Sequence, residues 1–427
     1  MNRIFALALT LSASLLAACS GGTRSMDDIA RDYVRLVLAT GELDANYVDA
    51  YYGPPEWREQ VREAAWDAQE ILERAQDARK ALLEIEPVAD EMAGLRHRYL
   101  QRQLDALIAF VEIKQGRTLS FDEEAEALYD AVPPHFDEAY FEEILAEIDA
   151  LVPGAGALPD RIEAFRNRFV IPGDRLAQVF ERAIQECRTR TLLHVPLPAN
   201  ERFRIEYVTD KPWSGYNWYQ GDAQSLIQMN TELPIHLERA VHLGCHEGYP
   251  GHHVYNALLE SELVKKRGWQ EFTVYALYSP QSLIAEGSAN YGVALAFPGA
   301  ELYDFERDVL APLAGIATDE FARYAALREK LQELDYAGNE AARRYLDGEM
   351  NREETIDWLM HFALYSRERA AQRVRFFDAY RSYVINYNLG RDLVRGYVER
   401  NARTPEERWD VFAELLGSPR LPSGLAE

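Results

Sequence analysis

Cysteine is close to absent from this chain: three residues, Cys19, Cys187 and Cys245, in a length of 427. If Cys19 is spent otherwise, at most one disulfide remains, which excludes a scaffold built from bridges. Positive charge is also scarce. Lys and Arg total 46 against 70 Asp and Glu, a formal charge of -24. So acidic a surface excludes nucleic acid as a partner and disfavours anionic lipid head groups. Past Leu16 no apolar run approaches the roughly 20 residues of a spanning helix. Internal repeats, low-complexity tracts and flexible interdomain linkers are missing too, so any lobes are knit together rather than strung.

What is there begins with an address. Arg3 supplies a short basic region, and Ile4 to Leu16 form an apolar run of signal-peptide length. It ends in Leu16-Ala17-Ala18-Cys19 followed by Ser20-Gly21-Gly22, which resembles a bacterial lipoprotein lipobox. Residues 1–18 are then a removable signal, Cys19 the lipid anchor, and 19–26 a short tether. Several acyl chains on one cysteine hold firmly, because each buried methylene contributes about 0.8 kcal/mol. Membrane contact is expected through this anchor only. Serine rather than aspartate after it points to the outer membrane, with the protein facing the periplasm of a bacterial envelope.

The rest reads as mainly α, in two lobes. Residues 27–200 form an N-terminal helical lobe, with one long helix expected from Glu56 to Ile85 after Pro54-Pro55. Ser120 and Glu123 have capping-box spacing, as do Thr404 and Glu407 around Pro405. Residues 201–427 form the second lobe, which opens on the chain's one β region. Phe203 to Val208 and Ser225 to Asn230 alternate as strands do, with an aromatic, turn-rich stretch from Trp213 to Tyr219 between them. This small sheet directly precedes a run of histidines.

That run is His246-Glu247-Gly248-Tyr249-Pro250-Gly251-His252-His253, which holds three of the chain's nine histidines. Neutral imidazoles plus a carboxylate are what catalytic zinc requires, with one position left to water. A glutamate beside the first histidine is where zinc hydrolases keep their general base. On an unbroken helix the pattern fails, because ligands belong at i and i+4 and Pro250 occupies that place. His252 would sit about 120° off the face, and His253 about 10 Å further along the axis. Pro250, however, clashes with the carbonyl of His246, and Gly251 permits unusual dihedrals, so the helix should bulge or break and fold a later histidine back. His252 is preferred over His253 as second ligand, leaving His253 to substrate or a supporting contact. The pair His242 and His246, four apart, is the rival that needs no bulge. Cys245 reads as a buried structural thiol rather than a ligand. For the third ligand, Glu286 in an apolar helical stretch fits better than Glu260 or Glu262, since a lone buried carboxylate is costly.

The octapeptide resembles the HExxPGHH signature of the DUF885 family of bacterial proteins, relatives of the gluzincin metallopeptidases. The similarity runs from about Tyr207 to the C-terminal helices. It includes Glu286-Gly287 as counterpart of the family's Glu-Gly and Tyr387-Asn388-Leu389-Gly390 as counterpart of its Tyr-x-x-Gly. Two departures, Tyr255 for a frequent glutamine and Ser288 for a tryptophan, put substrate preference in doubt and leave the metal residues untouched. The resemblance implies a gluzincin-type fold and zinc-assisted hydrolysis of a peptide or small amide, with Glu247 as base. Tyr387 leads the candidates to meet the developing oxyanion, ahead of Tyr383 and His253. Asn230, on the strand Ile227 to Thr231, and Arg391 are expected to contact substrate, the latter through a carboxylate. Hydrolysis of a non-peptide amide or ester, or a binding lipoprotein with a vestigial site, are the alternatives.

Overall fold

The computed structural model describes residues 24–86, 90–211 and 213–426. The lipobox and Cys19 therefore lie outside the described residues. The fold is mainly α, as its patterning implies. The first helix, Met26–Leu43, starts at a capping box between Ser25 and Asp28 and buries Ile29, Tyr33, Val34 and Val37 along one stripe. The long helix expected from Glu56 is in fact two, Pro55–Ala64 and Ala68–Leu83. Ala65 enters the left-handed region at φ 47°, and the Asp67 side chain accepts from the Glu70 amide to start again. An aspartate three residues before a glutamate was the available signal for that restart. The box at Ser120 forms as its spacing predicts, and at Thr404 half of it does: the hydroxyl accepts from the Glu407 amide, while the Glu407 carboxylate accepts from the Arg403 amide instead of closing the box.

Among the described residues five strands make two small sheets: β1 (Val48–Tyr51), β2 (Arg202–Val208), β3 (Gly215–Gly221), β4 (Gln224–Asn230) and β5 (Val274–Ala276). The stretch read as turn-rich is thus mostly strand β3. β4 lies in the middle, parallel to β2 and antiparallel to β3. Its neighbours satisfy both of its edges, so the Ile227 to Thr231 segment has no free edge for a peptide; of the two edge strands, β3 lies beside Glu247 and β2 beside His253. The β3–β4 turn places Asp222 and Ala223 at φ 53° and 54°, the twist a two-residue hairpin needs. Glu260 holds it by accepting from the amides of both residues, at 2.9 and 3.1 Å.

β1 and β5 pair antiparallel across more than two hundred residues of sequence, Tyr51 opposite Val274. Nearby, buried Arg96 donates through Nε to Glu271 at 2.5 Å. One continuous apolar cluster runs from Ile29 to Leu425. The two halves of the chain share a core, and β1 is delivered to the neighbourhood of the histidines.

Candidate metal centre

The histidine segment leaves α geometry twice. After Leu237–Leu243 the backbone widens into a π turn, Gly244–Gly248, then breaks at Tyr249–Gly251 before His252–Leu259 resumes. A π turn inserts one residue and re-aims the side chains beyond it. Gly251 donates to the Cys245 carbonyl at 2.9 Å. A Cβ there would overlap the His246 carbonyl, so only glycine fits. Behind the break, Pro250 packs on Gly292, where a Cβ would approach to 2.8 Å. The break anticipated at Pro250-Gly251 is therefore present, with the π turn as its first half.

Its consequence is that His246 and His252 face one point, their rings 4.7 Å apart and at 87°. Glu286, from the helix Pro280–Ala296, completes the group. Its Oε2 lies 3.3 Å from His246 Nε2 and 3.8 Å from His252 Nε2. The three ligand atoms all fall within 4.8 Å of one another, and no other such trio occurs among the described residues. Oε2 is buried and has no hydrogen-bond partner. Two imidazole nitrogens and an orphaned carboxylate oxygen converging in a buried site fit a divalent cation, and the donor set suits zinc.

Supporting contacts fix each donor. His246 Nδ1 meets Asn290 Oδ1 at 3.1 Å, and Asn290 Nδ2 donates to the Tyr387 carbonyl at 2.9 Å. That leaves Nε2 of His246 facing Glu286 Oε2 and His252, the arrangement a ligating imidazole would need. The Tyr383 hydroxyl donates to Glu286 Oε1 at 2.9 Å. Burial would depress the His246 pKa, but Glu286 and Glu247 outweigh it and raise it. His252, for which burial dominates, is lowered to about 4.

Glu247 is buried at the end of the same π turn. Its carbonyl accepts from Asn217 Nδ2 on β3 at 2.6 Å. Gly215 brings the β3 backbone so near that a Cβ would sit 2.8 Å from Glu247 Oε1. Burial, opposed by the His246 charge and reinforced by Glu286 and Asp49, pushes its carboxyl up to about 7. Tyr387 has no hydrogen bond to its hydroxyl among the described residues. Burial, then the charge of Glu286, lifts its pKa well above the ordinary tyrosine value, with Glu247 adding to the effect.

Other expected participants are elsewhere. His253 is fully buried, with Nδ1 2.8 Å from Ser225 Oγ and Nε2 3.1 Å from Glu201 Oε2. Both nitrogens are occupied, so it anchors the helix to the sheet and cannot meet substrate or an oxyanion. Asn230 donates to the carbonyls of Lys211 and Trp213, each at 3.0 Å, and accepts from the Glu232 amide. It shapes a loop. Arg391 is paired with Asp392 at 3.2 Å and Asp335 at 3.4 Å, which disposes of its charge. His242 bonds through Nδ1 to Arg239 at 3.2 Å and stacks on His246 without joining the trio. Cys245 is no free thiol: it forms a disulfide with Cys187, tying the π turn to the helix Leu176–Leu192.

Some participants escaped the sequence. Asn290 lies four residues after Glu286, a same-face spacing that could have identified it. Asp49 could not have been found, because only the β1–β5 pairing delivers it. It accepts from the Tyr216 hydroxyl of β3. Burial, resisted by that bond and aided by the Glu286 charge, raises it to about 6.

The class this fold and site define is a mainly helical protein with a buried two-histidine, one-glutamate cluster. No family model matches the chain, and no curated protein does. Among solved structures, it resembles the "putative lipoprotein from Colwellia psychrerythraea" with a TM-score of 0.52 at 13% identity. The match covers 94% of this chain and 75% of that one, and it shows the fold alone.

Proposed function

We propose that the chain is an envelope-anchored, zinc-dependent peptidase, with His246, His252 and Glu286 holding the ion and Glu247 as general base. The observation that carries this reading is the orphaned Glu286 Oε2 facing two imidazole nitrogens, with a carboxyl of raised pKa beside them. Metal retention alone has no need of a base there, which favours hydrolysis over a purely binding role. When bound, zinc supplies Lewis acidity toward a carbonyl and a more acidic water. Glu247, buried beside the cluster, would take a proton from the attacking water and pass it to the departing amine. Tyr387, whose hydroxyl is uncommitted, donates to the developing oxyanion. Asn290 and Tyr383 keep His246 and Glu286 aimed, and β3 presents its edge to an extended substrate.

The lipobox at Cys19 and the lack of a spanning helix among the described residues support attachment by a lipid. The same description attached to the Colwellia protein agrees with it. Ser20 favours the outer membrane, facing the periplasm. The test is hydrolysis of a mixed peptide pool by the full chain in detergent, with zinc and after chelation. Cleavage that depends on zinc and vanishes in Glu247→Gln supports the reading. A zinc-loaded protein that leaves every peptide intact contradicts it.

A further inference from the structure

Nothing in Gly244 to Gly248 forbids a regular helix, so contacts from elsewhere must impose the π turn. The helix Leu176–Leu192 supplies them at two successive residues. Gly244 lies against Ile184, where a Cβ would approach the isoleucine side chain to 3.0 Å and its backbone to 3.6 Å. Cys245 is bonded covalently to Cys187, three residues beyond Ile184 and on the same face of that helix. Both cysteines are fully buried.

The two clamped residues carry the carbonyls that hold the break. The Gly244 carbonyl accepts from the Tyr249 amide at 3.3 Å, and the Cys245 carbonyl from the Gly251 amide at 2.9 Å. A regular helix would pair those carbonyls with the amides four residues on, Gly248 and Tyr249. The longer pairings displace everything after Gly248, and they start from residues that the helix Leu176–Leu192 fixes in place. His246 follows Cys245 directly, and His252 follows Gly251. The disulfide therefore grips the backbone exactly where the two imidazoles are brought to one point.

We infer that the Cys187–Cys245 disulfide is a positioning device for the metal centre, so that the chain binds zinc tightly only after this bond has formed. This rests on the zinc-centre reading above. The bond forms by exchange with an external disulfide, RSSR. The two protein thiols and RSSR give the Cys187–Cys245 bond and two RSH: the cysteines lose two electrons and two protons, and the external disulfide gains them. The bacterial periplasm supplies such oxidants, whereas a cytosol keeps thiols reduced. Tight zinc binding then belongs to the exported chain.

Zinc affinity, read by competition with a chelator of known affinity, tests this without any substrate. The full chain in detergent is compared with Cys187→Ala/Cys245→Ala, which is expected to bind zinc about 10- to 100-fold more weakly, the range for losing groups that orient ligands. Cobalt(II) in place of zinc gives visible bands that follow ligand geometry, and these should change in the same variant. Phe141→Leu, in a core position packed on Trp358 and Phe362, lowers stability and leaves the clamp intact. Its zinc affinity and cobalt bands should match the parent's. If the double alanine does not fold, Cys187→Val/Cys245→Ala restores most of the lost volume and carries the same expectation. A folded double variant with zinc affinity within about threefold of the parent's and unchanged cobalt bands would overturn the inference and leave the zinc centre standing. Equal weakening in Phe141→Leu, or failure of both double variants to fold, would overturn it too, because the bond then serves the fold at large. A parent that takes up no zinc would remove the metal centre itself, and the inference with it.

Discussion

Gly287 and Gly390 touch backbone to backbone. A Cβ on Gly390 would lie 2.6 Å from the Leu283 carbonyl and 3.0 Å from Gly287 Cα, and one on Gly287 would overlap the Gly390 backbone. Here the helices Pro280–Ala296 and Ile385–Asn401 pack against each other. Glu286 is the neighbour of one glycine, and Tyr387 lies one turn before the other. The contact therefore sets the distance between the helices that carry Glu286 and Tyr387.

Gly390→Ala must push these helices apart. The expected cost is about 1–3 kcal/mol of stability, as for overpacked cores, together with weaker zinc binding. Thermal unfolding and metal titration measure the two. An alanine that leaves both unchanged would mean the helices have slack that the close contact denies.

Asn290 holds His246 and Tyr383 holds Glu286 through hydrogen bonds. Asn290→Ala and Tyr383→Phe should each weaken zinc about 10- to 100-fold, as loss of such supporting contacts does. Competition with a chelator of known affinity reads this directly. Glu247→Gln should keep zinc affinity within a few-fold and lower hydrolysis by at least about 10²-fold.

Much of this centre was legible beforehand, for identifiable reasons. Pro250 and Gly251 cannot continue a helix, so a break between His246 and His252 is dictated by covalent chemistry. An isolated carboxylate among apolar residues, as at Glu286, signals a buried partner. The helices with clear caps fell where Ser120 and Thr404 put them. The π turn left no such trace, because Gly244 to Gly248 contains nothing a regular helix forbids. His253 was misjudged because its partners, Ser225 and Glu201, come from the sheet and the loop before it. Asp49 takes its meaning from the β1–β5 pairing, which no local pattern encodes. Whether Cys187 and Cys245 bond likewise depends on tertiary neighbours.

Glu201 offers a pH signature. Burial alone would raise its pKa, but hydrogen bonds from His253 and Tyr249 and the Arg188 guanidinium hold it at about 2, below the ordinary 4.5. A depressed carboxyl contributes stability that is complete above its unfolded pKa and fades as pH falls toward the folded value. Glu201→Gln should therefore be destabilising at neutral pH, with the gap to the parent closing between about pH 4.5 and 2. Melting temperatures across that range check the sign. A gap that widens with acid would contradict the assignment.

The central claim is that a single divalent cation sits between His246, His252 and Glu286. X-ray absorption on the zinc-loaded full chain examines it most directly. The prediction is one zinc per chain, bound by two imidazole nitrogens at about 2.0–2.1 Å and carboxylate oxygen at about 2.0–2.2 Å, and lost in both His246→Ala and His252→Ala. Zinc that fails to bind stoichiometrically, or whose imidazole signal survives either substitution, would contradict it.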